Sequence, residues 1–358
     1  MRIAYVTPNY YPFIGGVEKL VQKISEEIAA RGHEVEILTT GREVTENRPL
    51  SPVLVHRFPK SFVFYVSNSL TDYLIRNGHK YDIVQAHNFH TLIPLQSAYA
   101  KQKAAKKFPL VLMSHYHGKG SSRYSSLLLK SGRRFFSVNY RSANMILCHT
   151  EFEKDLLKSH FALPKSKMRI IPGGVDIAGI ENSEPYVDAK KNLCVVSRLE
   201  KYKNIHLAIK AMSFLPEQYH LVIIGDGPYK PQLERLTGQL NLADRVTFKN
   251  FVRQGELYSW LKTCSLVLNL SDLESFGLTV IEGLAAGKPV VVNNRTALAE
   301  LAKRFAGVTA INATQLNPRE LARAIQRRAE IPLAEKPCLG AYTWGAVAEQ
   351  LLDYYQTI

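Results

Sequence analysis

The sequence predicts an α/β protein made of two doubly wound parallel-sheet halves, and three observations carry that prediction. The chain has 358 residues, more than a single hydrophobic core usually organises, so two domains of ordinary size are expected. Short and almost wholly apolar runs alternate with longer stretches of helical period, as parallel strands covered on both faces require. The alternation runs twice, on either side of a stretch rich in glycine, proline and polar residues.

The first strand is "RIAYVT", followed by "VEKLVQKISEEIAARG", in which Val17, Leu20, Val21, Ile24 and Ile28 recur at helical spacing and Gly32 supplies a stop. "HEVEILTT", "DIVQAH", "PLVLMSH" and "MILCHT" complete the first series of strands. The second series is "NLCVVSRL", "HLVIIGDG", "RVTFKN", "SLVLNLS" and "KPVVVNN", with helical patterns such as "NIHLAIKAMSFL" and "GELYSWLKTC" between them. The intervening "IPGGVDIAGIENSEPYVDAKKN" reads as a linker, placing the domains at residues 1–175 and 188–341. Ligands of such folds bind at the carboxyl ends of the strands, so a cleft between facing halves is the expected site.

Composition excludes several classes. At 46% hydrophobic and 22% charged residues the chain is that of a folded soluble protein, and no apolar run approaches the roughly 18 residues of a membrane span. "MRIAYVTP" lacks the features of a secretory signal, and Cys148, Cys194, Cys264 and Cys338 have neither paired nor metal-ligand spacing. A cytoplasmic protein without disulfide or zinc is expected. The net charge of +15 is uneven. No acidic residue occurs from Ile83 to Thr150, while Lys101, Lys103, Lys106, Lys107, Lys119, Arg123, Lys130, Arg133, Arg134 and Arg141 are basic. Leu127, Leu128, Leu129, Phe135, Phe136 and Tyr140 lie among these charges. Residues 101–141 therefore suit an anionic membrane surface or a phosphorylated substrate, the alternative being a solvated basic face. No nucleic-acid partner is expected.

The most informative stretch is "SDLESFGLTVIEGLAAGKPVVV", residues 271–292. A strand leads into a loop holding Glu274, and a helix follows with Ser275 as candidate cap, Gly287 as stop and Glu282 inside. A helix start favours phosphate, which conflicts with two nearby carboxylates unless the ligand carries hydroxyl-rich sugars on both sides of a diphosphate. Such a ligand is a nucleoside diphosphate sugar.

"ESFGLTVIEGLAAGKPVVV" resembles the E-x7-E signature of the retaining family-four glycosyltransferases with the GT-B fold, two Rossmann-like domains facing a cleft. The resemblance continues in order through "GGVEKL", "HNFH", "PLVLMSHYHG", "IIPGGVD", "VVSRLEKYKN", "IGDGP" and "VTFKNFV". "YTWGAVAEQLLDYY" is similar to the family's last helix, which crosses back onto the first domain and adds residues 342–358 to it. The resemblance implies Glu282 as ribose ligand, Glu274 as contact to the donor sugar, and Arg198 and Lys203 as a diphosphate clamp. It places Gly15 and Gly16 near the phosphates, and Gly225, Phe276, Gly277 and Leu278 near the nucleotide. His115 is the expected histidine beside donor and acceptor, with His117 as the second choice, while His87 and His90, after another strand end, either shape the acceptor side or fill the cleft wall. No metal or other cofactor is implied. Retention usually calls for a carboxylate nucleophile, but no convincing pair is found, and the family implies a front-face reaction in which a donor phosphate oxygen takes the acceptor's proton.

Three positions depart from the family pattern. Gly173 stands where asparagine is frequent, "NNRTALAE" replaces a glycine-rich turn and delays Glu300, and the region after Gly307 suggests a trimmed sheet edge. The expected activity is transfer of a hexose to a sugar or lipid-linked acceptor at the inner membrane face. A nucleotide-sugar epimerase would share the nucleotide contacts. A polyanion-binding protein would explain the basic stretch but give Arg198, Lys203, Glu274 and Glu282 no common purpose. A dehydrogenase is disfavoured because no G-x-G-x-x-G follows the first strand.

Overall fold

The computed structural model describes residues 1–12, 15–41, 52–60, 66–118, 127, 130–188 and 190–358. They form two compact units, Met1–Gly174 with Trp344–Ile358, and Val175–Thr343.

Unit 1 holds seven parallel strands: β1 (Arg2–Thr7), β2 (Glu34–Thr40), β3 (Leu54–Phe58), β4 (Ile83–His87), β5 (Leu110–Met113), β6 (Met145–Cys148) and β7 (Met168–Ile170). Their order is β3-β2-β1-β4-β5-β6-β7, so the winding reverses between β1 and β4, where Tyr5 faces Ile37 on one side and Gln85 on the other. β3 and β7 were not among the expected strands, since "LVHRF" mixes polar with apolar residues and is half-exposed at one edge, and β7 has only three residues. Helices α1 (Gly16–Ala30), α2 (Asn68–Asn77), α3 (Ile93–Lys103), α4 (Arg133–Tyr140) and α5 (Glu151–Phe161) cover the sheet, together with α13 (Trp344–Gln356). α13 buries Trp344, Val347, Ala348, Leu351, Leu352 and Tyr355 in the core that holds Ile3, Tyr5, Ile24 and Ile28. Each such large side chain contributes about 1.5–3 kcal/mol through removal from water. The join is close: a Cβ on Gly174 would sit 2.1 Å from Trp344 Cε3.

The basic stretch is less of an apolar surface than its sequence suggests. α4 packs against α3 and α5, which draws Tyr140 into the core and Phe136 onto its edge. Leu127 and Phe135 remain exposed. Lys119, Arg123, Leu128 and Leu129 lie outside the described residues. Among the described residues no helix is long and apolar enough to cross a membrane, and the four cysteines are free.

Unit 2 holds six parallel strands: β8 (Lys191–Val196), β9 (Tyr219–Ile224), β10 (Val246–Lys249), β11 (Leu266–Asn269), β12 (Val290–Asn293) and β13 (Val308–Ile311), in the order β10-β9-β8-β11-β12-β13. Its helices are α6 (Ile177–Glu181), α7 (Ile205–Met212), α8 (Lys230–Gln239), α9 (Gln254–Thr263), α10 (Leu278–Ala285), α11 (Ala297–Arg304) and α12 (Pro318–Ala329). Two sequence expectations change here. Part of the supposed linker is α6, capped by Asp176 and packed on α9 and α10. The supposedly trimmed edge after Gly307 is β13, paired with β12 from Val290↔Val308 to Asn293↔Ile311. Only Val308 of its four residues is buried, Thr309 and Ile311 being half-buried and Ala310 exposed, which is why no apolar triplet marks it.

Candidate active site

In unit 2 the winding reverses between β8 and β11, and the loops leaving their carboxyl ends carry most of the expected residues. After β8, Arg198 projects with its side chain 71% exposed and its Nε 3.3 Å from Glu200 Oε1. Lys203 ends a short 3-10 turn over Lys201–Lys203. Its Nζ donates to Glu274 Oε2 at 2.8 Å, both side chains being less than one-fifth exposed. Burial opposes the Lys203 ammonium, but the Glu274 carboxylate outweighs it and the lysine is held above its ordinary range. Lysine and glutamate thus neutralise one another here instead of facing separate parts of a ligand. A diphosphate competing for Lys203 would release Glu274 to accept hydrogen bonds from sugar hydroxyls.

Asp272 knots the loops together. Its Oδ2 accepts from Asn204 Nδ2 at 2.9 Å, its Oδ1 from Asn293 Nδ2 at 2.8 Å, and its amide donates to the Tyr202 carbonyl at 2.9 Å. Asn204 itself sits at φ +56 and also reaches the Leu270 carbonyl at 3.0 Å. One carboxylate thereby ties the ends of β11 and β12 to the turn that presents Lys203. The sequence reading missed Asp272, whose only signal was an acid directly after an apolar strand in "SDLE".

The helix carrying Glu282 begins later than expected. Its N-cap is Gly277 rather than Ser275, because Gly277 at φ +102 turns the chain and α10 starts at Leu278. A Cβ on Gly277 would also lie 2.7 Å from Leu298 Cδ2. Phe276 is buried against Tyr342, and Asn269 Nδ2, at the end of β11, donates to Thr279 Oγ1 at 3.0 Å. Glu282 is buried on α10, and Gly287, at φ +74, follows the helix end.

Gly225 lies where the loops after β8 and β9 cross. Its φ is +132, and a Cβ would come within 2.1 Å of the Ser197 carbonyl oxygen. The crossing is fastened by Ser197 N–H to Ile224 at 3.1 Å and Leu199 N–H to Asp226 at 2.9 Å. A small recess at the ends of β8 and β11 is lined by Val196, Ser197, Lys203, Ile205 and Asn269. Gly225→Ala combines a disfavoured φ with a clash against backbone that cannot swing away, so a loss of about 2 kcal/mol or more is expected. A thermal melt unchanged by this substitution would contradict that packing.

Unit 1 holds Gly15, Gly16 and the histidines. Gly15 is the extended N-cap of α1 and Gly16 its first residue. A Cβ on Gly15 would meet Glu18 Oε2 at 2.3 Å, so the carboxylate of Glu18 lies against this helix start. Burial raises Glu18 above the usual carboxylate range. His115 follows β5 at φ +50, and both its ring nitrogens are engaged: Nε2 lies 3.3 Å from His87 Nδ1 and Nδ1 lies 3.0 Å from His149 Nε2. Burial lowers His87 to about 3 and His149 to about 4, so both rings are neutral at physiological pH. His90 stacks on His117 with ring centroids 4.1 Å apart. Among the described residues no three His, Cys, Asp or Glu side chains converge to hold a metal ion.

The loops bearing these histidines are held by Glu153, which the sequence reading also missed. It is fully buried in the first turn of α5 and accepts from the Ser114 hydroxyl, the Tyr116 amide and, at 2.6 Å, the His149 amide. The available signal was "TEFE", Thr150 and Glu153 at the spacing of a helix-capping pair.

Two doubly wound sheets in one chain, with these loops at a switch point, are the architecture of the GT-B glycosyltransferases. Anabaena HepE, solved in complex with UDP and glucose, resembles the chain with a TM-score of 0.79 at 18% identity, each chain being covered over 100% of its length. Residues 14–178 match "Glycosyltransferase Family 4" and residues 178–337 match "Glycosyl transferases group 1"; the chain belongs to the family-four glycosyltransferases. It is 26% identical to an uncharacterised glycosyltransferase of Methanocaldococcus jannaschii over 99% of this chain and 98% of the relative. It is 25% identical to the alpha-monoglucosyldiacylglycerol synthase of Streptococcus pneumoniae over 84% of this chain and 73% of the relative.

Proposed function

We propose that this glycosyltransferase moves a hexose from a nucleoside diphosphate sugar to a lipid or lipid-linked acceptor, with retention of configuration and without a bound metal. The observation that carries the reading is the contact of Lys203 with Glu274, a cation and a sugar-reading acid side by side before the helix that bears Glu282. Arg198 and Lys203 bind the diphosphate and stabilise the charge that grows on it as the glycosidic bond breaks. Glu274 accepts hydrogen bonds from the hexose, Glu282 from the ribose, and His115 borders the reacting sugar. The acceptor hydroxyl enters on the face from which the diphosphate departs and gives its proton to a phosphate oxygen. The lipid acceptor is supported by a relative named as a glucosyldiacylglycerol synthase. Exposed Leu127 and Phe135 beside Lys130, Arg133 and Arg134 suit contact with an anionic bilayer.

Thermal melts with UDP-, GDP- and ADP-sugars test this. A donor at ~100 times its dissociation constant adds about 2.7 kcal/mol, and Glu282→Ala is expected to abolish the upward shift. If no member of the panel raises the melting temperature of the wild type, the reading is wrong.

A further inference from the structure

The histidines of unit 1 belong to one hydrogen-bonded chain whose direction is fixed by its end. His149 Nδ1 lies 3.0 Å from the Ile171 carbonyl oxygen, which can only accept, so this nitrogen carries the ring proton. His149 Nε2 is then a lone pair, and His115 Nδ1, 3.0 Å away, must donate to it. In a neutral ring this leaves His115 Nε2 to accept from His87 Nδ1 at 3.3 Å, and His87 Nε2 to accept from the Gln85 amide at 3.1 Å. The Tyr355 hydroxyl donates to Gln85 Oε1 at 2.7 Å and accepts from Tyr5 at 3.1 Å. Tyr5, Gln85, His87, His149 and Tyr355 are all buried, so water does not stand in for a lost link.

We propose that Tyr355 and Gln85, acting through His87, and His149 from the opposite side, are positioning residues that hold His115 as a neutral, Nδ1-protonated ring for the transfer reaction. The inference rests on the reading above that His115 borders the reacting sugar. Its chemical sense follows from the transition state: the sugar ring gains positive charge as the bond to the diphosphate breaks, and an imidazolium beside it would oppose that charge. The surroundings of His115 enforce neutrality. Burial, then His149, His87 and His90 around the ring, lower it well below the ordinary histidine range, and among the described residues no carboxylate is hydrogen-bonded to the ring. Tyr355 belongs to α13, so the last helix of unit 1 reaches the candidate site through two side chains, Gln85 and His87.

Histidine ¹⁵N spectra of the full chain test the proposal without reference to activity. His87, His115 and His149 are expected as three neutral Nδ1–H tautomers that do not titrate between about pH 5 and 8, where free histidine does. A His115 protonated on Nε2, or titrating in that window, overturns the proposal, and the wild-type spectrum decides this even if every variant is unstable. Tyr355→Phe removes one hydroxyl without changing the ring's shape, freeing the Gln85 amide to turn over. It is expected to move His87 to the Nε2–H form, which breaks its hydrogen bond to His115 while His149 still holds the His115 Nδ1 proton. UDP release from UDP-glucose on vesicles containing dioleoylglycerol should fall about tenfold in kcat, with the KM for UDP-glucose changed less than twofold. Unchanged tautomers, or unchanged kcat, in a folded Tyr355→Phe protein also overturn it. A wild type that turns over no nucleoside diphosphate sugar defeats the proposed function instead, and the spectra still decide the chain.

Discussion

Lys203→Ala is expected to lower kcat/KM for sugar transfer by about a hundred- to a thousandfold, the usual cost of removing one group aimed at charge that develops in the transition state. The proposed function gives the lysine two roles that the substitution separates. Towards the donor it is one of two cations at the end of β8, and with Arg198 largely in solvent it is the better desolvated of the pair. Towards the protein it neutralises Glu274, whose side chain is 19% exposed, so its loss strands a mostly buried carboxylate. Stability should therefore fall as well. The double variant Lys203→Ala, Glu274→Gln removes the stranded charge and should recover much of that stability while leaving the rate low. Steady-state kinetics with the donor selected by thermal melts measures the first effect. A loss below about tenfold would mean that Lys203 serves only to hold Glu274.

Glu153→Ala is expected to destabilise the protein by about 3–5 kcal/mol, because it strands two buried backbone amides and the Ser114 hydroxyl at once. The two amides belong to Tyr116 and His149, so the substitution also loosens the turns carrying His115 and His149. Its pH dependence is distinctive. Burial pushes Glu153 up to about 7, against the opposing hydrogen bonds from Ser114, His149 and Tyr116. A carboxyl whose folded pKa is raised binds its proton more tightly in the folded state, so its contribution is full below the unfolded value of about 4.5 and is lost as pH rises through about 7. The stability gap between wild type and Glu153→Ala should accordingly be wider at pH 5 than at pH 8 in urea titrations. A gap that widens with pH would show that the ionised form is the one the fold prefers.

The apolar strands were readable because burial on both faces leaves little room for other residues, and α1 because its apolar side chains keep helical spacing up to Gly32. The edge strands β3 and β13 were not, since a strand left partly exposed at a sheet edge carries a mixed sequence. Glu274 and Glu282 stood out by spacing, yet the mutual neutralisation of Lys203 and Glu274 spans 71 residues and follows only from the fold. Ser275 looked like a cap by residue type, but the turn needed a left-handed backbone, which Gly277 supplies more cheaply than any side chain. Asp272, Glu153 and the chain through His115 were hidden for a related reason. Their meaning lies in which loops they join, and local pattern carries no record of that.

Unit 1 is discontinuous in sequence, being interrupted by all of Val175–Thr343 before α13 returns to it. On the ribosome, the surface around Ile3, Tyr5 and Ile24 must therefore stay bare while some 170 further residues are made, about 8 to 34 seconds of synthesis. The inserted unit has no such handicap and can mature as soon as it emerges. Expressing residues 1–174 alone would leave that apolar face without its cover. A permuted gene that joins 344–358 ahead of Met1 through a flexible tether would let the early half mature without delay.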